Sequence, residues 1–79
     1  MRSDRQQLEA FAERLRALRE HRRPVRSRTV TSQLMGLHPD MLRRYERAEA
    51  EPSMRAVAMI ADYYGVSADY LLFGEDEKR

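Results

Sequence analysis

Residues 27–46, SRTVTSQLMGLHPDMLRRYE, carry the organisation of this chain: two short helices set at an angle around a single glycine. Leu34, Met35, Leu37, Met41, Leu42 and Tyr45 offer apolar contacts on both sides of Gly36, and Arg28, His38, Asp40, Arg43 and Arg44 fall between them, free to face outward. Ser27 reads as the N-cap of a helix running to about Met35. Thr29, Val30 and Thr31 are β-branched and poor helix formers, so VRSRTVT alone would pass for a short strand. Packing has to decide it, and a lone strand has no partner here. Gly36 is the turn residue able to take positive φ, and Leu37 then plugs the core. His38, Pro39 and Asp40 read as N-cap, first and second residue of a helix running from Pro39 to about Ala48, with Asp40 complementing its dipole.

Outward from this stretch, the remaining segments look like its support. From about Arg5 to His21, Leu8, Phe11, Ala12, Leu15 and Leu18 recur at three- and four-residue spacing, the mark of an amphipathic helix that Ser3 or Asp4 can cap. Pro24 ends any continuation, and residues 22–27 form a connector. A fourth helix follows Ser53, with Met54, Val57, Ala58, Ala61 and Tyr64 as its apolar stripe and Ile60 at the margin, and Gly65 stops it. Val66 can make the hydrophobic contact of a Schellman ending. Ser67 opens a short fifth helix through Tyr70, Leu71, Leu72 and Phe73 to Gly74. The expectation is an all-α chain of five helices, one domain over residues 1–79 with its core at about 5–73 and a flexible tail over 74–79.

Seventy-nine residues leave room for one economical core, because a chain this short buries only about 60% of its unfolded surface. Cysteine is absent and the two histidines, His21 and His38, are too far apart for a helical ligand pair, so neither a metal nor any other cofactor is expected. The N-terminus has no apolar run of signal-peptide or membrane-spanning length, and the chain is expected to be soluble and cytoplasmic, with no membrane partner. Net charge is only +2, yet residues 1–28 hold nine arginines against four acids and residues 49–79 hold three basic residues against seven acids. Such asymmetry suits a polyanion on the basic side. Fourteen of the fifteen basic residues are arginine, which fits bidentate phosphate and guanine recognition and fits a GC-rich genome equally well.

The two helices around Gly36 form the pattern of a helix-turn-helix, whose second helix enters the DNA major groove. At residues 45–53, YERAEAEPS, and at 62–72, DYYGVSADYLL, the chain resembles the Cro and lambda-repressor type of helix-turn-helix regulators, the xenobiotic response element (XRE) family, over roughly residues 8–73. The resemblance implies a lambda-repressor-like DNA-binding domain of five helices. It also implies a transcriptional regulator, as a repressor occupying an operator on double-stranded DNA. Departures from the family pattern are local. Ser32 stands where the family has alanine, Thr31 where it has leucine, Arg28 where it has glutamine, Ala48 where a glycine closes the recognition helix, and His38-Pro39 replaces a serine-led start. With alanine at 48 that helix can run on or end differently.

By resemblance Arg43 and Arg44 occupy positions that face or flank the groove. Neighbours on a helix point about 100° apart, so one reads a base edge while the other grips phosphate, unless both are solvated or Arg44 pairs with Glu46 or Glu49. Asp40, able to accept from cytosine, and His38, a turn or capping residue, complete the candidate base-contacting set. Arg28 sits in the first turn of the second helix, where the dipole disfavours a cation; a phosphate there reverses that cost, with Ser27 and Thr29 adding hydroxyls, and otherwise Arg28 swings into water. Arg47 and Glu46 look like structural partners, for example of charged groups on helix one. Two copies on a dyad double the contacts, so a homodimer on a near-palindrome is expected. Leu71, Leu72 and Phe73 are its candidate surface, the other use of these residues being a lid over the bundle. No P-loop and no paired metal ligands support an enzyme, and no small-molecule ligand is evident. The rival reading is a protein-interaction module, adaptor or antitoxin-like, with weak sequence-blind DNA binding.

Overall fold

The computed structural model describes residues 4–74. The Ser3 cap and, beyond Gly74, the expected flexible tail lie outside them. Five helices follow in order: α1 (Asp4–His21), α2 (Arg28–Met35), α3 (Met41–Glu46), α4 (Met54–Tyr64) and α5 (Ala68–Phe73). No strand occurs among the described residues, so packing overrides the β-branched run 29–31 in favour of helix. Thr31 accommodates this by turning its hydroxyl back onto the Ser27 carbonyl at 2.7 Å. α1 is the spine, packed against α3 and α5; α2 lies on α3 and α4, and α4 on α5.

The starts and stops are chemical. Ser27, Ser53 and Ser67 each take extended backbone and accept an N–H from the third residue on, at 3.1, 3.0 and 3.0 Å, contacts worth about 1 kcal/mol apiece. α2 and α4 end in paired Schellman bonds around left-handed glycines: Gly36 at φ 85° donates to Gln33 and Leu37 to Ser32, while Gly65 at φ 68° donates to Asp62 and Val66 to Ala61.

The core is built from Phe11, Leu15, Met35, Leu42, Tyr45, Ala56, Val57, Ile60 and Leu71. Phe11 and Tyr45 meet edge-to-face with ring centroids 6.2 Å apart, fastening α1 to α3. Three expected placements differ. Ile60 is the fully buried centre of the α4 stripe; with it at the middle of the arc, Met54 falls about 120° and Ala58 about 160° round the helix, and Met54 is 91% exposed. Leu34 is 53% exposed, because it falls outside the buried arc of α2, which runs from Thr31 through Met35 to Ser32 and centres near Met35, about 100° from Leu34. Leu71 is fully buried against the bundle and cannot serve a dimer surface. Phe73, two residues on and so on the opposite side of α5, is 52% exposed, with Leu72 partly buried between them.

Helix α3 is shorter than the sequence suggested. Met41 donates to the His38 carbonyl at 3.0 Å and Asp40 N–H to His38 Nδ1 at 3.2 Å, so His38, Pro39 and Asp40 form a turn before the helix rather than its first residues. At the far end Ala48 N–H bonds Tyr45 and Glu49 N–H bonds Arg44, a Schellman ending with alanine at φ 56°. The helix stops at Glu46 although no glycine is there to take the left-handed position, and Ala48 carries the strain.

Candidate nucleic-acid interface

Two buried polar devices set the angle between α2 and α3. Ser32, fully buried on α2, donates its hydroxyl to the Arg28 carbonyl at 2.8 Å and accepts the Leu42 N–H of α3 at 3.0 Å. Leu42 is in the first turn of its helix, where N–H groups lack an intrahelical partner, so this one hydroxyl joins both helices of the motif. Alanine, equal to it in size, could not do so. The second device is Glu46, only 3% exposed at the end of α3. Its two carboxylate oxygens accept from Arg19 of α1 at 2.7 and 3.0 Å, and the Arg28 guanidinium of α2 lies 3.9 Å away. The hydrogen bonds to Glu46 raise the Arg19 pKa further above its ordinary value, so that guanidinium stays charged. The structural role expected for Glu46 is thus realised through helix one, whereas Arg47 pairs locally with Glu49 at 3.1 Å on the surface.

Outward from this scaffold, Arg19, Ser27, Arg28, Thr29 and Arg43 line one depression of about 300 Å³ between the start of α2 and the middle of α3. Four of the seven candidate contact residues come together here, and the sequence reading missed the fifth member, Arg19. Its spacing to Glu46, 27 residues away, offers no local signal. Ser27 already spends one acceptor on its cap and still has a hydroxyl proton to donate. Arg28 is half exposed at its side chain and able to reach solvent from its loose contact with Glu46.

Asp40, Arg43 and His38 form a second group on the same side of the motif. Asp40 makes no cap bond to its helix; both its oxygens accept from Arg43, at 2.8 and 2.9 Å, which holds the Asp40 carboxyl below the usual carboxylate range. The pair is therefore formed at neutral pH and is lost only as pH falls through that lowered value. Exposed, it is weak and salt-screened, so a base edge can compete for either partner. Arg44, next along the helix, is exposed and makes no ion pair among the described residues, neither with Glu46 nor with Glu49. Among the described residues there is no group of three or more His, Cys, Asp or Glu able to hold a metal ion. No helix is long and apolar enough to cross a membrane.

Residues 10–71 match the helix-turn-helix domain family. No curated protein matches the chain. Among solved structures the chain is similar to the SOS-response transcriptional repressor LexA from Eubacterium rectale, with a TM-score of 0.78 at 24% identity, over 99% of this chain and 78% of that one, a likeness of fold. A match across most of its length, on five helices of the Cro and lambda-repressor arrangement, means that the chain belongs to the helix-turn-helix domain family of DNA-binding regulators.

Proposed function

We propose that this protein is a sequence-specific repressor that occupies an operator on double-stranded DNA, with α3 in the major groove and the start of α2 on the phosphate backbone. The observation that carries the reading is the shared depression in which Ser27, Arg28 and Thr29 stand beside Arg43. A phosphate bound there would meet the α2 N-terminus, two hydroxyls and a guanidinium at once, and would fix the register in which α3 meets the bases. Arg43 reads a base edge, with Asp40 and His38 beside it; Arg44, pointing about 100° away, contacts the flank of the groove.

Selection of binding sites from random duplexes tests this directly. An enriched motif is expected; failure to enrich any would favour the protein-interaction reading. On the selected operator, Arg43→Ala is expected to lose roughly tenfold to hundredfold in affinity, concentrated at one base position. Arg28→Ala should instead weaken all sequences alike and reduce the slope of log K against log salt by about one unit. Uniform loss in Arg43→Ala would make Arg43 a backbone contact and pass base reading to Arg44 or Asp40.

The repressor works as a homodimer on a near-palindrome. Support comes from α5, where Phe73 stands exposed beside Leu72, and Leu72 with Leu8, Phe11 and Pro52 lines a hollow of about 220 Å³. Light scattering of the DNA complex should give two protomers per operator, and one protomer would refute the dimer.

A further inference from the structure

From His21 to Pro39 the chain carries no acid and four arginines, three of them, Arg22, Arg23 and Arg26, in the connector between α1 and α2. Like charges this close repel one another, and among the described residues none of the three makes an ion pair that would offset it. The loop is nevertheless tied down. The Arg22 guanidinium lies 4.5 Å from the centroid of the Tyr63 ring and donates to the Tyr63 carbonyl at 2.7 Å, fastening the loop to the end of α4. Arg19 donates to the Arg26 carbonyl at 3.2 Å with the same guanidinium that grips Glu46, so the loop hangs from the ion pair behind the recognition helix. Arg23 caps the last turn of α1 through the Glu20 carbonyl at 2.7 Å and remains exposed.

This loop is also in the right place. Arg26 directly precedes Ser27, which with Arg19 lines the depression assigned above to a phosphate, and Arg26, partly buried, lines a second hollow with Arg19, Arg22 and Tyr63, so the basic residues of the loop adjoin that depression through Arg19. Phosphates on a strand recur about every 3.4 Å of helix axis, so a backbone seated at Ser27 and Arg28 brings further phosphates past the loop. We infer that the α1–α2 loop is a second DNA-backbone contact, in which Arg23 and Arg26 grip phosphates outside the half-site met by α3, with Arg22 as the positioning residue that fixes the loop on Tyr63. The inference rests on the operator-binding reading and adds a sequence-blind extension to it. Because the loop is already anchored, little freedom is lost when DNA arrives.

The test compares two duplexes carrying the selected operator, one with about ten base pairs of arbitrary flank on each side and one trimmed flush with the half-sites. The variants are the double substitution Arg23→Ala with Arg26→Ala, and, as a control for general electrostatics, Arg16→Ala, exposed on α1 one turn beyond Glu13. On the flanked duplex the double variant should bind at least tenfold more weakly than wild type, its salt slope should fall by about two units, and its hydroxyl-radical footprint should shorten at the outer edges. On the trimmed duplex it should match wild type, and Arg16→Ala should treat the two duplexes alike. Equal losses on both duplexes would reduce the effect to general electrostatics and overturn the inference, as would no loss on the flanked one. If Arg43→Ala still loses affinity at one base position in that event, the operator reading stands and only the loop contact fails. If no operator can be selected at all, both fall together.

Discussion

Glu46→Ala is the most severe single change the structure identifies outside the apolar core. The carboxylate is almost fully buried and makes two hydrogen bonds to Arg19, whose side chain is itself only 14% exposed. Truncation leaves the guanidinium desolvated and uncompensated, which costs about 3–5 kcal/mol. A domain of this length has roughly 4–12 kcal/mol in total, and each kcal/mol moves its midpoint by about 4–8 °C, so the melting temperature should drop by roughly 12–40 °C. Replacing both partners by apolar residues of similar volume, Arg19→Met with Glu46→Leu, removes the buried charges together. It forfeits mainly the bond from Arg19 to the Arg26 carbonyl, about 1 kcal/mol. The double variant should therefore be more stable than Glu46→Ala by about 2–4 kcal/mol, a non-additivity that a double-mutant cycle in urea, followed by circular dichroism, measures directly. Glu46→Ala within 1 kcal/mol of wild type, or a double variant as unstable as the single one, would refute the account of a buried, mutually dependent pair.

Ser32→Ala, which substitutes the residue the family carries there, should cost about 1–3 kcal/mol because the buried Leu42 N–H loses its acceptor, and unchanged denaturant unfolding would show that α3 does not need it. Ala48→Gly should stabilise by up to about 1 kcal/mol, since a left-handed alanine costs about 1–2 kcal/mol against the smaller entropic cost of glycine; a lower midpoint would contradict the strain assigned to Ala48. Gly36→Ala should be worse than Gly65→Ala in thermal unfolding, because both positions have positive φ but only at Gly36 would the new methyl meet a neighbour, Met59 Cε at 3.0 Å; equal costs would remove Met59 from the argument. Burial pushes the Tyr64 phenol up to about 12, and its buried hydroxyl has no hydrogen-bond partner. Below pH 10 both folded and unfolded phenols are neutral, and above it the unfolded one ionises first, so wild-type stability should fall as pH rises from about 10 to 12. Tyr64→Phe should lose little at neutral pH and show a flatter alkaline limb in pH-dependent unfolding; an identical limb would place the titration elsewhere.

Helix existence and most boundaries were legible because they are written in local chemistry. Serine caps and glycine stops lie next to the helices they punctuate, and the α1 stripe repeats over five apolar positions. The phase of short helices was less legible. In α4 nine of the eleven residues are apolar and occupy most of the wheel, so periodicity alone does not pick out Ile60 as the centre, and in α5 four successive large residues leave the inward one undetermined until the bundle is assembled. The turn at His38–Asp40 looked like a helix start because proline suits either; in the structure His38 accepts from Met41 and Asp40, and the Asp40 carboxylate pairs with Arg43 instead of capping α3. Least legible were the long-range ties. Nothing in the neighbourhood of Arg19 announces Glu46 as its partner, and Ser32 reads as a small filler until Leu42 is seen above it.

The contrast between these ties and the exposed Asp40–Arg43 pair explains how one small motif can be rigid and still readable by DNA. Ser32 and Glu46 are buried and bonded from more than one helix, so moving α3 relative to α2 would break contacts that water cannot replace. Asp40 and Arg43 have half-exposed side chains, and in the proposed operator complex their exchange for a cytosine amino group or a guanine edge would trade one set of charged hydrogen bonds for another. In the proposed operator complex Arg43 arrives already held by Asp40 rather than searching its rotamers, which would lower the ordering cost of the first base contact. On the same proposal the carboxylate beside it would penalise misplacement: a register error that put Asp40 against phosphate would meet like-charge repulsion, so the residue that holds the arginine ready would also reject the wrong alignment.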